Sequence, residues 1–401
     1  MTGDVLSTNF WQTLPQPIIG LAPMDGVTDA AFRLIVARHG GPDVAFTEFA
    51  HVTDICRGSE ATLQALRYSD CERPIVAQLY GKDPALFYQA AHVVCELGFD
   101  GLDINMGCPS RSVASFGSGA GLIRTPDLAR EIIRATRQGI QDWASGQSLI
   151  GAGLKPARAA FVSSMLQRAN RLPAVRRVIP LSIKTRIGCD SDVVEAWISD
   201  LLDEEPAVIS LHGRTLAQMH RGQADWGAIA RAGRLAQGTR TLLLGNGDIQ
   251  SLADVVRRVR EAAVHGVLVG RGTLGEPWLF RQKEEIRAAC RMARTADAEI
   301  APPGGRPPGV TQRFGVMLEH ARVFETLFGA SRFPPMRKHL GWYCKGFPGA
   351  AAMRAAMVRA SSSTDVERIV TEYLRGLQSS PSWCDPADTV SAAGARPAPC
   401  A

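Results

Sequence analysis

The sequence predicts an α/β protein: a TIM-type (β/α)8 barrel followed by a small all-α helical bundle. Three observations predict it. Eight short β-branched runs alternate with amphipathic stretches over residues 17–294, as βα units of a parallel sheet do. Polar and Gly-rich sequence follows seven of the eight runs, where a barrel keeps its chemistry. Four further helical patterns, with no strand among them, follow the Pro/Gly-punctuated run at 301–309.

The strands are expected at Pro17–Leu21, Asp43–Thr47, Pro74–Leu79, Gly101–Ile104, Pro180–Thr185, Val208–Leu211, Thr241–Leu244 and Gly266–Val269. Helices are expected between them at Asp29–Arg38, Pro84–Leu97, Pro126–Gln141, Val193–Leu202, Trp226–Ala232 and Leu252–Arg260. The pairs Asp83-Pro84 and Thr125-Pro126 read as a capping residue followed by proline in the first turn. An open doubly wound sheet is the second choice, but no G-x-G-x-x-G follows the first strand. The stretch Ser145–Leu172 exceeds an ordinary αβ connection and reads as an insertion with a helix at Ala157–Asn170. Beyond the linker, helices are expected at Gln312–Leu327, Arg332–Cys344, Ala350–Ala360 and Thr364–Leu377. The organisation is then an N-terminal extension (1–16), a barrel (17–294, insertion 145–172), a linker (295–310), a helical domain (311–378) and a disordered tail (379–401).

Composition narrows the class. With 45% apolar and 21% charged residues in 401, the chain is neither disordered, fibrous nor a disulfide-stapled miniature. Its nine cysteines include no C-x-x-C pair and no metal-ligand spacing, so reduced thiols and no metal are expected. No basic-then-apolar leader opens the chain and no run is apolar enough to span a bilayer; a cytoplasmic, monomeric protein is expected. The net charge of +6 is unevenly placed. Residues 305–378 hold 11 Arg/Lys against five Asp/Glu, and a basic appendage on a near-neutral body points to a polyanionic partner.

The strand ends carry the candidate chemistry. They read Ala22-Pro23-Met24-Asp25-Gly26, Gln78-Leu79-Tyr80, Asn105-Met106-Gly107-Cys108-Pro109, Lys184-Thr185-Arg186, His212-Gly213-Arg214-Thr215, Asn246-Gly247-Asp248 and Gly270-Arg271-Gly272. Gly-rich turns after the last two barrel strands, with Arg271 beside them, are where a barrel cradles a phosphate group.

Together, APMDGVTD, the Gln78 strand end, DINMGCPS, IKTRIG, HGRT, NGD and VGRG resemble the tRNA-dihydrouridine synthase family. The resemblance implies a barrel holding FMN, re-reduced by transiently docked NADPH, and acting on uridine in tRNA. It implies that Pro23, Met24 and Asp25 line the flavin and that Gln78 hydrogen-bonds its ring. Lys184 and His212 would stabilise negative charge on the reduced ring, and Asn246, Gly247, Asp248, Gly270 and Arg271 would hold its phosphate. Cys108 would be the catalytic general acid, and Asn105 would position the uracil. Arg186 and Arg214 would contact RNA or the uracil edge. Arg337, Lys338 and Lys345, interleaved with aromatics, would bind RNA in the helical domain, although Leu340, Trp342 and Tyr343 also suit that domain's core. The sequence departs from the usual pattern in the 145–172 insertion, in the tail, and at Arg111, commonly a lysine. A flavin-dependent reductase of a small pyrimidine or enone, resembling dihydroorotate dehydrogenases, and a non-catalytic RNA-binding barrel remain open alternatives.

Overall fold

The computed structural model describes residues 9–58, 60–169, 171, 174–293 and 308–378. The expected tail, the linker up to residue 307 and the first eight residues of the N-terminal extension lie outside the described residues. Among the described residues nine strands form one parallel sheet: β1 Ile18–Leu21, β2 Ala45–Phe46, β3 Ala50–His51, β4 Ile75–Tyr80, β5 Gly101–Met106, β6 Leu181–Arg186, β7 Val208–His212, β8 Leu242–Asn246 and β9 Gly266–Val269. The order is β1-β9-β8-β7-β6-β5-β4-β2. Leu21 N–H donates to Val44 O at 2.9 Å and Asp43 N–H to Ile19 O at 3.0 Å, which joins the two ends into a ring. Nearly every strand residue is buried, as a sheet covered by helices outside and filled by side chains inside requires.

Where one strand was expected at Asp43–Thr47, the structure has the shorter β2, and a second short strand, β3, follows just beyond it; both pair with β4. The break has a local cause. Thr47 Oγ1 accepts the Gln78 N–H at 3.0 Å, so a hydroxyl stands where a ladder carbonyl would, and the chain turns away.

The helices of the barrel region run in order α1 Ala30–His39, α2 Val52–Arg57, α3 Glu60–Gln64, α4 Pro84–Glu96, α5 Arg111–Ala114, α6 Pro126–Ala144, α7 Pro156–Arg168, α8 Val194–Leu202, α9 Trp226–Ala236, α10 Leu252–Ala262 and α11 Lys283–Ala293. Asp83 caps α4 through bonds from Ala85 and Leu86 N–H. Thr125, the other expected cap, makes no side-chain bond to α6. Its hydroxyl donates instead to Leu122 O, a carbonyl of the preceding 3-10 turn. The inserted segment folds as α7, and its buried Arg158 donates to Asp54 O, Ile55 O and Gly58 O. That guanidinium closes the C-terminal end of α2, where helix carbonyls run short of intrahelical partners, alongside the Gly58 N–H on Asp54 O.

The C-terminal helices are α12 Val310–Phe328, α13 Met336–Tyr343, α14 Ala350–Met357 and α15 Ser363–Gln378. The single helix expected at Arg332–Cys344 is divided into a 3-10 turn at Ala330–Arg332 and α13, because Pro334-Pro335 supplies no N–H and opens a new first turn. Phe314, Met317, Phe333, Met336, Leu340, Tyr343 and Met357 form the core of this region, together with Ala31 and Ile35 of α1 and Trp278. Helix α1 is therefore buried from two sides, by the barrel and by the C-terminal helices. Among the described residues no helix is long and apolar enough to cross a membrane.

Candidate active site at the barrel mouth

Parallel register decides which side chains meet. Gln78, Asp103 and Ser182 are aligned on β4, β5 and β6. Asn105 and Lys184 lie two residues further on, and Arg186, His212 and Asn246 form the outermost row. With a side-chain period of two, these rows point the same way, into the barrel mouth. They surround a cavity of about 580 Å³ that every expected catalytic and cofactor residue lines. The volume falls within the ordinary range for a small-molecule site.

The innermost row is a closed polar network. Asp103, fully buried, accepts from Gln78 Nε2 at 2.7 Å and from Ser182 Oγ at 2.6 Å. Burial pushes its carboxyl up to about 6, opposed by those two bonds. Asn105 Nδ2 donates to Gln78 Oε1 at 3.0 Å. Its Oδ1 accepts from Gly107 N–H at 3.0 Å and Cys108 N–H at 2.8 Å. Asn105 thus shapes the loop that carries Cys108, a task that the spacing of three residues did not reveal.

Cys108 is buried on the cavity wall. Burial raises its thiol pKa, and Asp25 pushes the same way, against the Ser110 backbone bond and the Arg186 and Lys184 charges. The thiol keeps its proton at neutral pH, as a general acid must.

One expectation about charge is corrected. Burial, then Arg186, Lys184 and Arg214, hold His212 well below its usual pKa, so it is a neutral imidazole. A guanidinium only donates, so the 3.3 Å contact from Arg214 Nη1 makes His212 Nε2 an acceptor. The positive charge expected of His212 falls to Lys184. That lysine is bonded to Asn246 Oδ1 at 3.2 Å, and burial lowers it to about 8. Arg186 and Arg214, expected to contact RNA or the uracil edge, both line the cavity and are each 2% exposed. Arg186 donates to Gly107 O, Thr215 O and Met219 O, bracing the Cys108 loop and the β7 loop. Arg214 is spent on Gly222 O and the Asp248 carboxylate.

The Gly-rich end is built differently from a plain cation cluster. Asp248 receives Arg214, Arg271 and the Ala224 N–H, so its carboxylate is neutralised and only its backbone remains to face an anion. A Cβ at Gly247 would stand 2.6 Å from Ala224 Cβ, on a backbone with φ of 129°. Glycine is required there for the turn to pass. The turns at Gly247 and Gly270, with Arg271 beside them, fit the phosphate end of a nucleotide cofactor. Pro23, Met24 and Asp25 line the other side, their turn held by Thr28, whose Oγ1 accepts the Met24 N–H at 3.0 Å.

Phe49, Met219, His220 and Leu274 also line the cavity. The first sits edge-on to Tyr80 with ring centroids 4.9 Å apart. Met219, His220 and Leu274 stand in no quoted motif, and the β7 loop that brings Met219 and His220 inward is held by bonds to Arg186 and Arg214 and by Leu216 and Ala217 N–H on Gly188 O and Cys189 O.

Arg337, Lys338 and Lys345 stand outside the cavity. Arg337 Nε donates to Ala360 O at 2.8 Å. Lys338 Nζ donates to Gly26 O, and Lys345 Nζ reaches Leu274 O at 3.1 Å and Glu276 Oε1 at 3.3 Å. Each therefore spends at least one donor on the protein itself, while Lys338 and Lys345 remain exposed at the surface.

A buried thiol on the wall of a cofactor-sized cavity, at the C-terminal mouth of a parallel barrel, is the arrangement of a barrel enzyme. The dihydrouridine synthase family model matches residues 20–145 and 145–377. The chain belongs to the dihydrouridine synthase family, whose members are flavin-dependent oxidoreductases. It is 30% identical over 381 residues to the probable tRNA-dihydrouridine synthase 2 of Bacillus subtilis strain 168, covering 92% of this chain and 98% of that one. It is 29% identical over 379 residues to a probable tRNA-dihydrouridine synthase of Staphylococcus aureus strain MRSA252, covering 92% and 96%. Among solved structures, DHODH from Eimeria tenella in complex with ferulenol superposes with a TM-score of 0.45 at 15% identity, over 69% of this chain and 82% of that one.

Proposed function

We propose that this protein is a cytoplasmic tRNA-dihydrouridine synthase that reduces the C5=C6 bond of uridine, with FMN at the barrel mouth and NADPH as electron donor. The observation that carries the reading is Cys108, a thiol kept protonated by burial on the wall of a cavity whose far end suits a phosphate. When bound, FMN supplies the hydride for uracil C6.

The chain's own residues supply the rest. Cys108 gives its proton to C5, so that the added hydride and proton together saturate the bond. Asn105 and Arg186 fix the loop on which the thiol sits, through Gly107 and the Cys108 N–H. Lys184 places a positive charge on the floor of the cavity, where negative charge on the reduced ring would develop. Gln78, anchored by Asp103, lines the same floor. The backbone at Gly247, Asp248 and Gly270, with Arg271, would hold the cofactor phosphate. The C-terminal helices carry the excess positive charge, and exposed Arg332 and Arg359 stand on their surface; a polyanion such as tRNA is held by such charges. The expected domain division, with the helical part at 311–378, belongs to this reading.

The test is reconstitution. Purified protein should carry a flavin spectrum, and with NADPH it should form dihydrouridine in unmodified tRNA. Flavin-loaded protein that leaves every tRNA uridine intact would overturn the reading.

A further inference from the structure

We propose that α13 is a working part of the cofactor site, with Lys338 and Lys345 acting as positioning residues for the two mouth loops that embrace the flavin. The proposal rests on the reading of the cavity as a flavin site.

Helix α13 spans the gap between these loops. At its first turns, Lys338 Nζ donates to Gly26 O, next to Met24 and Asp25 of the cavity wall. Gly26 has φ of 68°, so its carbonyl is presented by a left-handed turn. Just past the helix, Lys345 Nζ donates to Leu274 O at 3.1 Å and to Glu276 Oε1 at 3.3 Å. Leu274 is itself a wall residue. Between those two lysines the backbones nearly touch: a Cβ at Gly275 would stand 2.2 Å from Trp342 O and 2.5 Å from Trp342 C, on a backbone with φ of 71°. Only glycine fits such an approach. His339 Nε2 also comes within 3.5 Å of Oδ2 of Asp29, the residue that caps α1 directly after the first loop.

The arrangement is one-sided in a telling way. The loop after β1 is held from within by Thr28 and from outside by α13. Both lysines reach backbone carbonyls while remaining exposed at the surface. A charged donor on a loop carbonyl fixes position more firmly than a neutral one. The same helix region carries the charge suited to RNA, so the segment that grips the substrate also sets the width of the cofactor pocket.

The experiment uses the full chain with Lys338→Ala, Lys345→Ala and the double substitution, with Lys338→Arg and Lys345→Arg as conservative partners. Flavin affinity is read from the fluorescence regained on release, tRNA affinity by gel shift, and folding by circular dichroism. Each alanine variant should stay folded and bind flavin about five- to tenfold more weakly. The double variant should be weaker still, and the arginine variants should recover most of the loss. Flavin affinity unchanged in the double variant overturns the proposal, whatever happens to tRNA binding. Wild-type protein that binds no flavin overturns the underlying reading instead, so the two failures are distinguished by the wild-type control.

Discussion

Asn105 Oδ1 accepts the backbone N–H of Cys108 at 2.8 Å while Asn105 Nδ2 donates to Gln78 Oε1 at 3.0 Å. One side-chain amide thus ties the loop of the proton donor to the residue on the cavity floor. Asn105→Ala removes both links, leaving a buried N–H without its partner at a cost of about 1–3 kcal/mol. Expressed in the transition state, that is roughly a ten- to hundredfold loss in the uridine-reduction step. Asn105→Asp keeps the acceptor for Cys108 but not the donor for Gln78, and should fall between. Single-turnover reduction of tRNA uridine, compared with flavin reduction by NADPH, separates the two effects.

The raised thiol pKa of Cys108 predicts a one-sided pH profile. Its ordinary pKa of 9.0 is pushed upward mainly by burial, so the acid form persists through the neutral range. Cys108 itself should therefore impose no fall on uridine reduction through the neutral range, and a decline centred near pH 8 would report loss of the Lys184 charge, whose pKa burial lowers to about 8. Cys108→Ala should lose about 10²- to 10⁴-fold in this step while flavin reduction stays near wild type. Parallel loss of both half-reactions would place Cys108 in cofactor binding instead.

Much of this was legible in the sequence, for reasons that differ by residue. The eight barrel strands announce themselves because a parallel strand is buried on both faces and reads as an apolar run. Cys108, Lys184 and Arg271 are found because a barrel puts chemistry after its strands. The partners were not legible. Nothing near Arg186 in the chain signals that it would be consumed by Gly107 O and Thr215 O, nor that Asp248 would be neutralised by Arg214 and Arg271. Charge was read from side-chain type, whereas what the charge does is set by contacts far away in sequence. The same holds for Lys338, whose partner Gly26 lies at the other end of the chain.

Asp103 anchors the floor of the site. Its two oxygens accept from Gln78 Nε2 and Ser182 Oγ. Asp103→Ala removes both acceptors and leaves the Gln78 amide N–H buried without its partner. The expected cost is about 1–3 kcal/mol of stability, visible as a lowered Tm, together with weaker flavin binding as Gln78 loses its anchor. A variant with unchanged Tm and unchanged flavin affinity would remove Asp103 from this role.

Glu48, beside the first mouth loop, carries a pH signature. Burial, followed by the nearby Asp29 charge, raises its carboxyl from 4.5 to about 7. Below the unfolded value the group is neutral in both states and costs nothing. Between about 4.5 and 7 the unfolded chain ionises while the folded one resists, so stability falls as pH rises and levels off above 7. Allowing for partial exposure, the loss is about 1–2 kcal/mol. Glu48→Gln should lack this decline and be more stable than wild type at pH 8, with the two nearly equal at pH 4.5. Urea unfolding of both proteins at the two pH values measures it.

The central claim is that this barrel reduces uridine in tRNA through the Cys108 proton. Its most direct test is site-resolved mapping of dihydrouridine across all tRNAs from cells lacking the gene, then from the same cells given back the wild-type or Cys108→Ala protein. The account predicts that dihydrouridine disappears from a defined position or set of positions on deletion, returns with the wild-type protein, and stays absent with Cys108→Ala. Dihydrouridine unchanged at every tRNA position on deletion, or fully restored by Cys108→Ala, would contradict it.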